Sequence, residues 1–410
     1  MKNYDYGIIG GGPGGYTCAM MLAKQGKSVI LFEKDKLGGT CLNKGCIPTK
    51  AILHISELYR ELQQTSDIGI ISCNNIKPNL YKIQEQKNQI VEKIRKSLEL
   101  AVKNSGTEIV YKEAFIKNAD TIISENEIYN CKKIILATGS KPKTIKNLMP
   151  DQKFIFDSDG ILNITELPKS IVIAGSGAIG IEWARILSNF GCEVTVIEMA
   201  QHLIPNADIE ISKRIERIFK QRKIKFYLNT SITGAENNIV FLSNGEELKT
   251  DMLLVAAGRV PCKQNCDCID IIGDACGEIQ LAHFAIHQAK NLALGIDFNK
   301  KLIPSVIYGE PEIAWVGLRE QDIDDTYSKT ILPITALGKS WCDNCTDGFI
   351  KIITKDGNIY GAHIVSKEAS SLIHIFVIAI QNNISIKNLQ KVCFAHPTYA
   401  EGIFDLVMKY

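Results

Sequence analysis

No stretch of this sequence is long and apolar enough to cross a bilayer. The most apolar run, Leu372 to Ile380 (LIHIFVIAI), stops at nine residues and carries His374, against about 20 for a spanning helix. Such a run belongs inside the protein or at a subunit contact. A surplus of one charge is also lacking. The 47 Lys and Arg face 45 Asp and Glu, a formal net of +2, so nothing draws the chain to nucleic acid or to a charged membrane surface. The opening residues, MKNYDYGIIG, have neither secretory-signal nor Arg- and Ser-rich transit character. An even cysteine count, the mark of a secreted disulfide framework, is missing too. Thirteen cysteines lie scattered over 410 residues, which predicts mostly reduced thiols and a cytoplasmic protein.

What is present is a repeated nucleotide signature. Tyr6-Gly7-Ile8-Ile9 reads as a buried strand running into Gly10, Gly12 and Gly15 at G-x-G-x-x-G spacing. A helix follows from Tyr16 to about Gln25, then a strand from Ser28 to Phe32 that closes on Glu33. Glycines at these positions let backbone amides approach a pyrophosphate at a helix N-terminus, and an acid further on can take a ribose hydroxyl. The pattern recurs at Ile171 to Ala174, then Gly175, Gly177 and Gly180, a helix to Phe190, a strand from Val194 to Ile197, and Glu198. A carboxylate at Glu198 favours NAD over NADP, because it repels a 2′-phosphate. The spacing also predicts an amphipathic helix over Lys82 to Lys103 with its Lys and Glu residues solvated. Buried strands are expected at Ile134 to Leu136, at Leu253 to Val255 and from Ile269 to Asp274. The fold class is therefore α/β.

Between Glu33 and the first long helix stands GGTCLNKGCIPTK, residues 38–50, with Cys41 and Cys46 five apart. In a regular helix such residues are about 8 Å apart between Cα atoms, and a disulfide needs less than roughly 7 Å. A bridge therefore requires a distorted helix, which Gly45 and Pro48 allow. A metal pair or two unrelated structural thiols are the other readings. The spacing is unusual for zinc and no second ligand pair lies near, so no metal is expected.

These residues, with ATGSKP (137–142), GSGAIGIE (175–182), IGDA (272–275), IPSVIYGEPEIAWVG (303–317) and HPTYAE (396–401), resemble the flavin-dependent pyridine nucleotide–disulfide oxidoreductases, and within them the dihydrolipoamide dehydrogenases. The resemblance implies two Rossmann-like dinucleotide-binding domains plus a C-terminal α+β dimerisation domain. Its segments would be 1–149 for FAD, 150–262 for NAD, 263–301 returning to the flavin domain, and 302–410 for the interface. FAD would lie on Gly10, Gly12, Gly15 and Glu33, with Asp274 on its ribityl chain, and NAD on Gly175, Gly177, Gly180 and Glu198. Gly139, Gly258 and Ala282 would complete the cofactor-lining set. Cys46 would face the flavin and Cys41 exchange with substrate, with Lys50 and Glu182 paired beside them. His396, oriented by Glu401 and supplied by the other subunit of a homodimer, would be the acid/base. Pro397 would open a terminal helix and set His396 at its start. The implied reaction passes electrons from dihydrolipoamide, on the lipoyl domain of a 2-oxoacid dehydrogenase complex, through the disulfide and FAD to NAD⁺.

One departure stands out. After Gly258-Arg259-Val260-Pro261 the family's connection is much longer, whereas here only residues 262–270 intervene. This places the second half of the flavin site in question. Cys262, Cys266 and Cys268 cluster there, and Cys342-x-x-Cys345 follows later; all are read as ordinary reduced thiols. Glutathione-type and mercuric reductases are rival enzymes. Glu198 speaks against the first, and the ending DLVMKY, without vicinal cysteines, against the second. A retired structural subunit is a rival of another class, opposed by the survival of every chemical residue.

Overall fold

The computed structural model describes residues 2–63, 76–264 and 269–410. The first dinucleotide fold opens with β1 (Lys2–Ile9), α1 (Pro13–Lys24) and β2 (Val29–Phe32). Next come α2 (Gly39–Lys44), α3 (Cys46–Gln63), α4 (Leu80–Asn104) and β3 (Glu108–Val110). Then follow β4 (Phe115–Asn118), β5 (Thr121–Ser124), β6 (Glu127–Leu136) and β7 (Ser140–Pro142). Strand order is β3-β2-β1-β6-β5-β4. All four residues of β2 are buried, as expected of a parallel strand covered on both faces. Asn79 caps α4, its side chain accepting from the Lys82 amide at 3.1 Å, which is why the helix starts just before the expected Lys82.

Not all of the α4 reading holds. Lys87 is 3% exposed and donates to the Leu162 carbonyl at 2.9 Å. It is therefore no part of a solvated face, and burial pulls its pKa down to about 8.

The second fold comprises β8 (Ile155–Phe156), β9 (Ser170–Ala174), α5 (Ala178–Asn189), β10 (Glu193–Ile197), α6 (Ile209–Gln221) and β11 (Lys225–Tyr227). An antiparallel meander of β12 (Ile232–Glu236), β13 (Ile239–Leu242) and β14 (Glu247–Lys249) precedes β15 (Met252–Val255). The parallel sheet runs β11-β10-β9-β15-β8.

Two short strands carry the described part of the return to the first fold. β16 (Arg259–Pro261) lies antiparallel on β7, and the Cys262 amide bonds the Gly139 carbonyl at 2.9 Å. β17 (Asp270–Ile271) then joins β6 in parallel, Asp270 opposite Ile135. The expected strand to Asp274 ends here, because the Gly273 amide leaves the ladder for Gln288 Oε1 at 2.7 Å. The chain turns in a 3₁₀ segment at Gly273–Cys276 and enters α7 (Ala282–Leu294). Cys266 and Cys268 lie outside the described residues.

The C-terminal unit is an antiparallel sheet, β18-β19-β22-β21-β20. Its strands are β18 (Ser305–Ile307), β19 (Glu312–Gly317), β20 (Ser328–Pro333), β21 (Phe349–Lys355) and β22 (Asn358–Ser366). Helix α8 (Gly338–Cys342) precedes β21, and α9 (Ala369–Gln381), α10 (Ile386–Leu389) and α11 (Glu401–Val407) end the chain. The apolar run Leu372 to Ile380 forms α9. It buries Leu372, Ile373, Phe376 and Ala379 on the sheet and leaves Ile378 57% exposed on its outer side.

Candidate active site

Both glycine turns are shaped by close approach. A Cβ on Gly15 would stand 1.8 Å from the Gly10 carbonyl oxygen, and one on Gly180 would stand 1.9 Å from that of Gly175. The middle glycines are open: nothing lies within 4 Å of a Cβ built on Gly177, and only Gly39 Cα, at 3.9 Å, on Gly12. Each turn thus leaves free space at the N-terminus of a twelve-residue helix, which fits a dinucleotide pyrophosphate at each end. The two acids are held alike. Glu33 accepts from the amides of Gly11 and Asp35, both at 2.9 Å. Glu198 accepts from those of Ser176 and Ala200, both at 2.8 Å. Burial raises the Glu33 pKa.

Asp274 accepts from Ser140 Oγ at 2.5 Å. Arg259 donates to the same hydroxyl at 2.9 Å and to the Ser140 carbonyl at 2.8 Å. The short return therefore still brings Asp274 to Ser140, at the end of the first dinucleotide fold. Gly139 and Gly258 adopt positive φ in the turns that end β6 and follow β15, and Ala282 begins α7.

The cysteine segment is fastened to the first glycine turn. The Gly38 amide bonds the Gly11 carbonyl at 2.8 Å, and a Cβ on Gly39 would stand 2.7 Å from Gly12 Cα. Cys41 lies in α2 and Cys46 opens α3. Between them Gly45 breaks the helix at φ −151°, ψ −111°. This is the distortion the spacing requires. Both cysteines are free thiols here. They hydrogen-bond to each other, which with burial raises the Cys41 pKa. The same bond, helped by the Lys50 charge against burial, brings Cys46 down to about 7.

Lys50, one turn along α3, bonds both Glu182 oxygens at 2.8 and 2.7 Å. Glu182 is 3% exposed and also accepts from the Tyr308 amide at 3.1 Å. The Lys50 ammonium stands 4.8 Å from the Tyr308 ring centroid.

His396 is exposed, its Nδ1 2.7 Å from Glu401 Oε1, while Glu401 Oε2 accepts from the Thr398 amide at 2.8 Å. The Thr398 amide, then His396, lowers the Glu401 pKa. Pro397 does not open the terminal helix. It follows a cis peptide, and α11 begins at Glu401, whose carboxylate bonds the Thr398 amide. Sequence reasoning missed Tyr308, Ser140 and Arg259. They sit inside motifs it quoted, but nothing in their spacing states whom they touch. Among the described residues no group of three His, Cys, Asp or Glu side chains could hold a metal.

Comparison with known proteins agrees with this arrangement. Residues 4–284 match the family described as pyridine nucleotide-disulphide oxidoreductase, and residues 303–406 its dimerisation domain. The mitochondrial dihydrolipoyl dehydrogenase of Pisum sativum is 32% identical over 98% of this chain and 91% of its own. That of Mycoplasma pneumoniae is 31% identical over 99% and 98%. The leghemoglobin reductase of Vigna unguiculata is 31% identical over 98% and 87%. The alignment to the pea protein spans 456 positions against 410 residues here, so that relative carries chain that this one lacks. Among solved structures, LpdA of Mycobacterium tuberculosis superposes with a TM-score of 0.91 at 20% identity, covering 100% of this chain and 99% of its own. The HOCl-induced flavoprotein disulfide reductase RclA of Escherichia coli does so at 0.87 and 25%, covering 99% of each.

Proposed function

The chain belongs to the pyridine nucleotide-disulphide oxidoreductase family, and from that premise we propose that it is a homodimeric dihydrolipoamide dehydrogenase. Its cofactors are FAD and NAD(H), as in its family. The substrate in this reading is dihydrolipoamide on the lipoyl domain of a 2-oxoacid dehydrogenase complex, in a cytoplasm. Segments 1–149 and 263–301 would form the flavin domain, 150–262 the NAD domain and 302–410 the interface. No helix among the described residues is long and apolar enough to span a membrane.

The observation that carries the reading is the dithiol across the Gly45 break, with an acidic Cys46 beside the Lys50–Glu182 pair. In the oxidised protein a substrate thiolate attacks Cys41 Sγ, the Cys41–Cys46 bond breaks, and Cys46 departs as thiolate. A leaving thiol with a low pKa departs faster, and the Lys50 ammonium stabilises the departing charge. The second substrate thiol attacks the mixed disulfide and frees Cys41. His396 of the partner subunit, held by its Glu401, would take the substrate proton. Bound FAD supplies the two-electron relay from thiol to nicotinamide.

The test is NADH formation by the purified holoprotein from dihydrolipoamide and NAD⁺. In parallel, NADP⁺ is tried as acceptor, and glutathione disulfide is tried with NADPH. Faster glutathione disulfide reduction, or a preference for NADP⁺, would overturn the assignment.

A further inference from the structure

Helices α3 and α5 meet along a polar seam. On α3 the stripe Cys46, Lys50, Leu53, Glu57 and Arg60 repeats at intervals of four and three, one helix face. On α5, Glu182, Arg185 and Asn189 do the same. Lys50 meets Glu182 at the thiol end, and Asn189 Nδ2 bonds Ser56 Oγ at 3.2 Å. Near the far end stands Arg185, 1% exposed, a long cation with no place in the chemistry described above.

Arg185 Nη1 donates to the carbonyls of Tyr308 at 3.1 Å and Pro311 at 2.9 Å. Glu182, one turn earlier on α5, accepts the Tyr308 amide. Tyr308 is therefore gripped at its N–H and its C=O by two side chains of one helix. The guanidinium fills the space over Gly309: a Cβ there would stand 2.3 Å from Nη1 and 2.7 Å from Cδ, and φ is +134°. Among the described residues, Arg185 Nε and Nη2 and Glu57 Oε1 meet no hydrogen-bond partner. The grip on residues 308–311 is thus the whole of the polar bonding found for this guanidinium.

We propose that Arg185 is a positioning residue for the Lys50–Glu182 pair, and through it for the Cys46 thiolate. It acts by clamping Tyr308, whose amide fixes Glu182 and whose ring lies against the Lys50 ammonium. The inference rests on the dithiol reading above and adds a residue to it. A buried donor lost from two carbonyls lets the loop shift. Lys50 then loses its fixed place beside Cys46, and the thiolate loses stabilisation.

The test is the pH profile of Cys46 alkylation by iodoacetamide, read residue by residue by mass spectrometry on the reduced holoenzyme. R185M and R185K should both move the Cys46 midpoint upward by about half a pH unit or more. R185K keeps the charge but cannot reach both carbonyls. G309A, which leaves Arg185 in the sequence but drives it off the loop, should shift the midpoint in the same sense. Wild-type behaviour in R185K would reduce Arg185 to a remote charge and overturn the clamp. An unmoved midpoint in R185M and G309A, with lowered melting temperatures, would mean a merely structural role and also overturn it. A wild-type Cys46 that titrates like an ordinary thiol would sink the dithiol reading first, and this inference with it.

Discussion

Each sulfur of the Cys41–Cys46 pair has a separate task, and the thiol environments divide them. Their mutual hydrogen bond raises Cys41 and lowers Cys46, which supports the proposed division: exchange with substrate at the first, departure as thiolate at the second. Cys41→Ser should abolish dihydrolipoamide turnover while flavin absorbance is retained; unchanged turnover would remove Cys41 from the reaction. Glu57 gives a second prediction. Burial, then the charge of Glu310, raises its carboxyl to about 7. A raised carboxyl pKa means that the folded state holds the proton more tightly than the unfolded one. Stability is therefore full below the unfolded value and falls as pH rises from there to about 7, by at most roughly 3 kcal/mol. Glu57→Gln should flatten that fall, measured as denaturant midpoints against pH. The two cysteines and the two acids were legible from motif spacing, and the Lys50–Glu182 pair from the family resemblance. Glu57, Arg185 and Tyr308 were not, because their partners lie on elements far apart along the chain.

At the scale of elements, the break between α2 and α3 is the decisive device. A continuous helix would hold the sulfurs too far apart to bridge, and Gly45 supplies the interruption. In Gly45→Ala the new Cβ would lie 3.0 Å from the Thr40 carbonyl oxygen, a tighter contact than packed side chains accept. We expect a loss of about 1–3 kcal/mol, seen in thermal melts, and slower closure of the disulfide, seen by thiol counting after oxidation. The glycine and proline around the thiols announced the distortion. The start of α11 was misjudged for a physical reason. Proline suits a helix opening, but here a carboxylate accepting the Thr398 amide sets the boundary four residues further on. The strand expected to reach Asp274 likewise stopped early, because the Gln288 side chain took the amide that would have continued the ladder.

For the whole molecule, two features join the parts. Lys351, fully buried on β21, bonds Asp208 at the start of α6 at 2.7 Å and Glu320 at 2.5 Å, tying the C-terminal sheet to the second dinucleotide fold. Lys351→Met leaves Asp208 buried without its cation and should cost about 3 kcal/mol, read from denaturant unfolding. On the outer side of α9, Ile378 is the exposed apolar residue of a run that sequence alone assigned to an interior or a subunit contact. Ile378→Glu should shift the protein toward monomer in sedimentation. If the site is shared as proposed, dihydrolipoamide turnover should fall with it for want of the partner's histidine. A stable, fully active monomer would refute the shared site. The shortened connection after Pro261 looked like a threat to the flavin fold. Around it, β16 pairs β7 in a two-stranded ladder of its own, and β17 joins the main sheet beside β6.

The matching braces on Glu33 and Glu198 carry a consequence for how the protein loads. Each carboxylate is held by two loop amides, so the two turns are fastened in the same way. On the proposed assignment, the exchanging nicotinamide carrier and the resident flavin would each meet a turn held in this way.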